Sequence, residues 1–122
     1  MPWLYVGVGA FLGANARYWV GGWAADRWGT AFPYGTFIIN MSGSFAIGLL
    51  AAFFAERGYS PNWRLFLMVG VLGGYTTFSS YSYEALRLFE DGAYVFGVLY
   101  MFGSPVVGLA ACLAGVALGR LV

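Results

Sequence analysis

Four apolar stretches, separated by short polar segments, divide the chain along its whole length. A helix needs roughly 20 consecutive apolar residues to cross a hydrocarbon layer about 30 Å thick. The pattern predicts helices over about residues 3–25, 34–54, 63–88 and 94–121. We therefore expect residues 1–122 to form a single all-α membrane domain with four transmembrane helices.

The composition supports this prediction and excludes several classes of function. Hydrophobic residues make up 61% of the chain and charged residues 9%, whereas a soluble domain normally carries about 25% charged residues. The net charge of +1 is scattered, so no nucleic-acid surface is indicated. The chain contains no His and no carboxylate pair placed for general acid and base catalysis, so we expect it not to be an enzyme.

The two sides of the predicted bundle carry almost the same positive charge. Arg57, Arg64 and Arg120 lie on the side of both termini, against two arginines on the other side, or three if Arg17 reaches it. The orientation of a membrane protein follows the imbalance of basic residues in its short loops. We therefore expect the chain to insert in both directions and to form an antiparallel, dual-topology homodimer. Small residues four apart, such as Gly9 and Gly13, would permit close helix contacts within or between subunits.

The third apolar stretch contains a polar segment at membrane depth. Eight of the nine residues from Tyr75 to Tyr83 carry a hydroxyl, and two glycines precede them. These residues favour a helix broken near its middle, which would free the carbonyls of Gly73 and Thr76. Free backbone at this depth is tolerated where it is buried in protein, lines water or binds an ion, and uncharged oxygens suit a hard monovalent cation. The alternative is a kinked helix whose Ser and Thr bond to their own backbone.

Polar residues in the other spans complement this segment. Asn40 offers an amide in the second helix, and Tyr100 and Ser104 lie four apart on one face of the fourth. Phe78 and Tyr81, three apart, could add the positive edges of their rings. Many neutral donors without a fixed cation suit a small, strongly hydrated anion. The alternatives are interhelical hydrogen bonds for the polar groups and core packing for the rings.

Three further residues belong to the predicted ion pathway. Ser79 and Ser80 add hydroxyls to the polar segment of the third helix. Arg17 lies within the first span, where an ionisable residue suggests a functional site and would concentrate anions near a pore mouth. Alternatively, Arg17 extends to the interface or pairs with Glu84.

The chain resembles the CrcB/Fluc fluoride channel family over all four spans. The matching motifs are residues 13–18, residues 35–45, and residues 73–82 followed by Glu84. The resemblance implies a multi-pass protein of the cell inner membrane that exports fluoride passively. It also implies a dual-topology homodimer with two fluoride pathways and a central structural Na⁺.

The resemblance also implies roles for individual residues. The carbonyls of Gly73 and Thr76 from each subunit would hold the Na⁺. The residues that would line the fluoride pathway are Asn40, Phe78, Tyr81, Tyr100 and Ser104. The chain departs from the family pattern at two positions, because Tyr81 stands where Phe is usual and Gly108 where some members have Ser. The Tyr81 hydroxyl could either bind the anion or obstruct it.

Two other functions are compatible with a short four-helix membrane protein. A proton-coupled small multidrug transporter needs a carboxylate deep in the membrane, and Glu84, near one end of the third span, is the only candidate. A non-conducting assembly subunit would show no ion flux.

Overall fold

A computed structural model describes all 122 residues, and every regular element in it is a helix. The elements are α1 (Pro2–Trp28), α2 (Tyr34–Arg57), α3 (residues 61–75), α4 (Ser79–Glu90) and α5 (Tyr94–Leu121). Together α3 and α4 occupy the third predicted stretch. The prediction of an all-helical chain with four long helical regions is confirmed.

The helices extend further into the connections than the apolar pattern predicted. α1 runs to Trp28 and α2 to Arg57, so Asp26 and Arg27, and Glu56 and Arg57, lie in the last turns of these two helices. Each of these turns contains an arginine, which is favourable near the negative end of the helix dipole. Gly58 ends α2 with a left-handed backbone, φ 62°, and donates its amide to the Phe54 carbonyl.

The first part of the third helical region has unusually wide turns. Pro61 opens the helix, and the Ser60 side chain accepts a hydrogen bond from the Asn62 amide. From Leu65 to Leu72 the backbone then winds as a π-helix, which is rare and occurs mostly as single turns near functional sites. The hydroxyl-rich segment begins three residues after this stretch.

The helices pack mainly in two pairs, α1 with α3 and α2 with α5. Small residues bring the backbones together in both pairs. A Cβ built on Gly74 would lie 2.6 Å from the Ala10 carbonyl oxygen, and one on Gly119 would lie 2.6 Å from the Leu49 carbonyl oxygen. The small residues therefore make close contacts within one chain.

The outer surface is rich in large apolar side chains. Only 18 of the 122 residues are buried, while Trp19 is 74% exposed and Leu109 is 64% exposed. α2 and α5 are both long and apolar enough to cross a membrane. An apolar surface of this extent is unsuited to water.

Candidate functional site

The third helical region is interrupted at residues 76–78, and Asn40 pairs with the backbone there. α3 ends at Tyr75, the Thr76 backbone is extended with ψ 157°, and α4 begins at Ser79. The Thr77 amide donates to Asn40 Oδ1 at 2.9 Å, and Asn40 Nδ2 donates to the Thr77 carbonyl at 3.0 Å. A single side chain thus satisfies both backbone groups of one residue outside the helix.

This pairing leaves nearby carbonyl groups without their helical donors. In a continuous helix the Thr77 amide would bond to the Gly73 carbonyl and the Ser80 amide to the Thr76 carbonyl. Instead, the Thr77 amide bonds to Asn40, and the Ser80 amide bonds to Thr77 Oγ1 at 3.3 Å. No other backbone amide reaches either carbonyl. Two uncharged oxygens are therefore available, and such ligands fit a hard cation such as Na⁺.

A cavity of about 530 Å³ lies beside the interruption, between α2, α3, α4 and α5. It brings together four of the predicted pathway residues and both predicted cation ligands. These are Asn40, Phe78, Tyr81, Ser104, Gly73 and Thr76. The cavity continues past Ser44 and Gly108 to Cys112.

Ser104 lines this cavity, and its hydroxyl has no partner in the protein. The residue is 6% exposed, and its Oγ is buried with no hydrogen bond to any protein group. The interhelical hydrogen bond considered for Ser104 is therefore absent. Because an unpaired buried hydroxyl costs free energy, this group is suited to a ligand in the cavity.

Tyr81 directs its hydroxyl toward α5. The hydroxyl donates to the Met101 carbonyl. In a helix this carbonyl would receive the amide of residue 105, but Pro105 has no N–H. The tyrosine at this position thus replaces a backbone hydrogen bond that the proline removes. This hydrogen bond accounts for the presence of a hydroxyl at position 81, without any role in binding or obstructing the anion.

Replacing Tyr81 by Phe is expected to lower the free energy of unfolding by about 1–3 kcal/mol, because the Met101 carbonyl loses its donor. Efflux of fluoride, the anion that the resemblance implies, should stay within a few-fold of that of the wild type, because the ring is kept. Denaturant unfolding in detergent measures the first effect and efflux from liposomes the second. Tyr94→Phe is the matched control, since Tyr94 is 66% exposed. Unchanged stability of Tyr81→Phe would show that the Met101 carbonyl does not depend on this hydroxyl.

The two predicted ring-edge aromatics lie side by side at the cavity. The ring centroids of Phe78 and Tyr81 are 5.7 Å apart, with their planes tilted by 53°. Phe78 is 78% exposed, so packing in the core of this chain does not explain it. Its ring is available either to an ion or to a second protein surface.

Tyr100 is separated from this cavity. It is 2% exposed, and its hydroxyl lies 3.5 Å from Glu84 Oε1. Glu84 and Ser80 line a second cavity, of about 430 Å³, together with Thr36. Thr36 was not among the predicted pathway residues, although it lies four residues before Asn40 and hence on the same face of α2.

Arg17 lines a third cavity, of about 820 Å³, with Thr77 and Ser80. Its Nε is buried without a hydrogen-bond partner, and Glu84 does not line this cavity. Ser80 borders both the Arg17 and the Glu84 cavities, whereas Ser79 is exposed and lines none of the three. The structure therefore places six of the eight predicted pathway residues around three adjoining cavities, and Ser79 and Tyr100 line none of them.

Comparison with known proteins gives consistent matches over almost the whole chain. The family model described as CrcB-like protein, Camphor Resistance (CrcB), matches residues 4–116. A fluoride-specific ion channel FluC of Chloroflexus aurantiacus is 50% identical over 118 residues, covering 96% of this chain and 94% of the relative. The fluoride-specific ion channel FluC of Rhizobium meliloti is 48% identical over 118 residues, covering 96% and 94%. That of Rhodopseudomonas palustris is 47% identical over 123 residues, covering 100% and 99%.

Proposed function

Because the chain belongs to the CrcB-like protein family, we propose that it is a membrane channel that conducts fluoride. The observation that carries the proposal is the cavity lined by Asn40, Phe78, Tyr81 and Ser104, in which a buried hydroxyl has no protein partner. The relatives named above are fluoride-specific ion channels, which are not a class of enzymes.

The cavity offers donors that can replace water around a small anion. Ser104 has a free hydroxyl, and the Asn40 amide has a second N–H beyond the one given to Thr77. The ring edges of Phe78 and Tyr81 add weak positive potential. None of these four residues carries a fixed positive charge that would hold the ion too tightly to leave. Arg17, in an adjoining cavity, would raise the anion concentration at the entrance.

Export through such a channel requires no chemical energy source. Hydrogen fluoride crosses membranes as a neutral acid and ionises at cytoplasmic pH, which traps fluoride inside. A membrane potential of 100 mV, negative inside, favours exit of the anion by about 2.3 kcal/mol. This corresponds to a concentration ratio of roughly fiftyfold. Passive conduction is therefore sufficient for fluoride resistance.

We further propose that the third span is broken in order to hold a structural Na⁺. The support is the pair of carbonyls at Gly73 and Thr76 whose helical donors are engaged elsewhere. When bound, the ion supplies a fixed positive charge next to the pathway. Asn40 keeps the Gly73 carbonyl available, because it engages the Thr77 amide, and the Thr77 hydroxyl does the same for the Thr76 carbonyl by engaging the Ser80 amide.

The functional unit in this proposal is an antiparallel homodimer that spans the inner membrane several times. Support comes from the nearly balanced arginines and from Phe78, which is 78% exposed at the edge of the cavity. A second copy would cover this ring, and lipid would cover the outer apolar side chains.

Reporter proteins fused to the C-terminus should be active on both sides of the membrane; activity on one side alone would contradict dual topology.

The test of function is fluoride efflux from liposomes that contain the purified chain. We expect fluoride release driven by its gradient, chloride release at least about a hundredfold slower, and loss of efflux when Na⁺ is replaced by an organic cation. A fluoride electrode and a chloride electrode measure the two fluxes. Empty liposomes give the background rate.

The possible outcomes separate the parts of the proposal. Equal fluoride and chloride fluxes would contradict selectivity, and absence of any flux would favour a non-conducting subunit. Fluoride efflux that is unchanged without Na⁺ would contradict the cation site alone.

A further inference from the structure

The line of hydroxyls along α5 is interrupted within the cavity. Ser104 is followed one turn later by Gly108, which has no side chain, and another turn later by Cys112, whose thiol is a weak donor. The eight-residue step from Ser104 to Cys112 spans about 12 Å along the helix. An anion moving along α5 alone would lack a strong donor over this distance, although it must replace its lost water there.

Ser44 lies on α2 directly opposite the interruption. A Cβ built on Gly108 would be 3.6 Å from Ser44 Oγ, and both residues line the cavity. The Ser44 hydroxyl makes no hydrogen bond within the protein. In contrast, Ser42, two residues earlier, donates its hydroxyl to the Ile38 carbonyl at 2.7 Å, as serines in helices often do.

We propose that Ser44 is a pathway residue that supplies from α2 the hydroxyl missing from α5 at Gly108. The row of donors then passes from Ser104 on α5 to Ser44 on α2. This inference rests on the proposed function, since it assigns a further donor for the same ion. It also gives a physical reason why glycine is compatible with conduction at this position.

The test compares fluoride efflux from liposomes carrying the wild type and three variants. Ser44→Ala is expected to lower the efflux rate by about tenfold or more, as for loss of a hydrogen bond to a charged group. Ser44→Ala combined with Gly108→Ser should recover most of the rate, because the hydroxyl is restored on α5. The new side chain is accommodated, since its Cβ would lie 3.5 Å from Met41 Cε.

Ser42→Ala is the matched control. It removes the same hydroxyl from the same helix, but that hydroxyl is bonded to backbone and to Tyr75. Its efflux rate should equal that of the wild type. Alanine is a good helix former, so both single variants should fold, and size-exclusion chromatography in detergent checks this.

Failure of the inference can be told apart from failure of the proposed function. If the wild type conducts fluoride and Ser44→Ala conducts equally fast, the role of Ser44 is refuted while the channel assignment stands. If Ser44→Ala is slow and the double variant stays slow, the proposed exchange of one hydroxyl for the other is refuted. A wild type that conducts no fluoride would refute both.

Discussion

Replacing Asn40 by leucine is expected to lower fluoride efflux at least about a hundredfold. The leucine removes a donor from the cavity and also both hydrogen bonds that hold Thr77. The Thr77 amide would then be free to return to the Gly73 carbonyl, so one substitution changes the pathway and the cation ligands together. The Thr77 carbonyl loses its donor, which should also lower the free energy of unfolding by about 1–3 kcal/mol. Efflux from liposomes and unfolding in detergent measure the two effects.

The matched control is Asn62→Leu, which makes the same change at an exposed position near the start of α3. It should leave both efflux and stability near the wild-type values. If Asn40→Leu also conducted normally, the cavity would not be the ion pathway. If it lost conduction without losing stability, the pairing with Thr77 would be unimportant for the fold.

Replacing Gly115 by alanine is expected to destabilise the fold strongly. The added Cβ would overlap the Phe45 carbonyl and lie 2.8 Å from the Leu49 amide nitrogen. Neither group can move without separating α2 from α5, the most extensive helix pair in the chain. We expect a loss of about 3 kcal/mol or more, at the upper end of what overpacking costs. The yield of monodisperse protein and its unfolding in detergent measure this loss.

Gly103→Ala provides the comparison within the same helix. A Cβ at this position would meet nothing within 4 Å, so the better helix propensity of alanine should raise stability by up to about 1 kcal/mol. Equal stability of the two variants would mean that α2 and α5 are not in backbone contact at Gly115.

The sequence was sufficient to predict the helices because each apolar run has the length of a membrane span. The sequence predicted the helix ends less reliably, because charged residues such as Asp26 and Glu56 lie within the last turns of the helices and not in the connections. The last turn of a membrane helix can reach the polar interface, so charge there does not mark the end of the helix. The hydropathy of a run therefore locates its middle better than its limits.

The candidate site was predictable in its residue types but not in its contacts. Asn40 was identified as a polar group in a span, yet its bonds to Thr77 join residues 37 positions apart, which no local pattern reveals. The hydrogen-bond partner of the Tyr81 hydroxyl could have been predicted from the sequence, because a proline at position 105 leaves the carbonyl of Met101 without its helical donor. No sequence signal indicated that Tyr100 lies outside the cavity that Ser104 lines, because this depends on how α4 packs against α5.

The bond from Tyr81 to the Met101 carbonyl has an evolutionary consequence. While Pro105 is present, loss of the tyrosine hydroxyl strands a carbonyl inside the protein, so selection should retain both residues together. If Pro105 were first exchanged for alanine, the amide of residue 105 could bond to the Met101 carbonyl, and Tyr81 could then mutate to Phe without a loss of stability. Descendants of this sequence should therefore reach phenylalanine at position 81 mainly by way of ancestors that had already lost the proline.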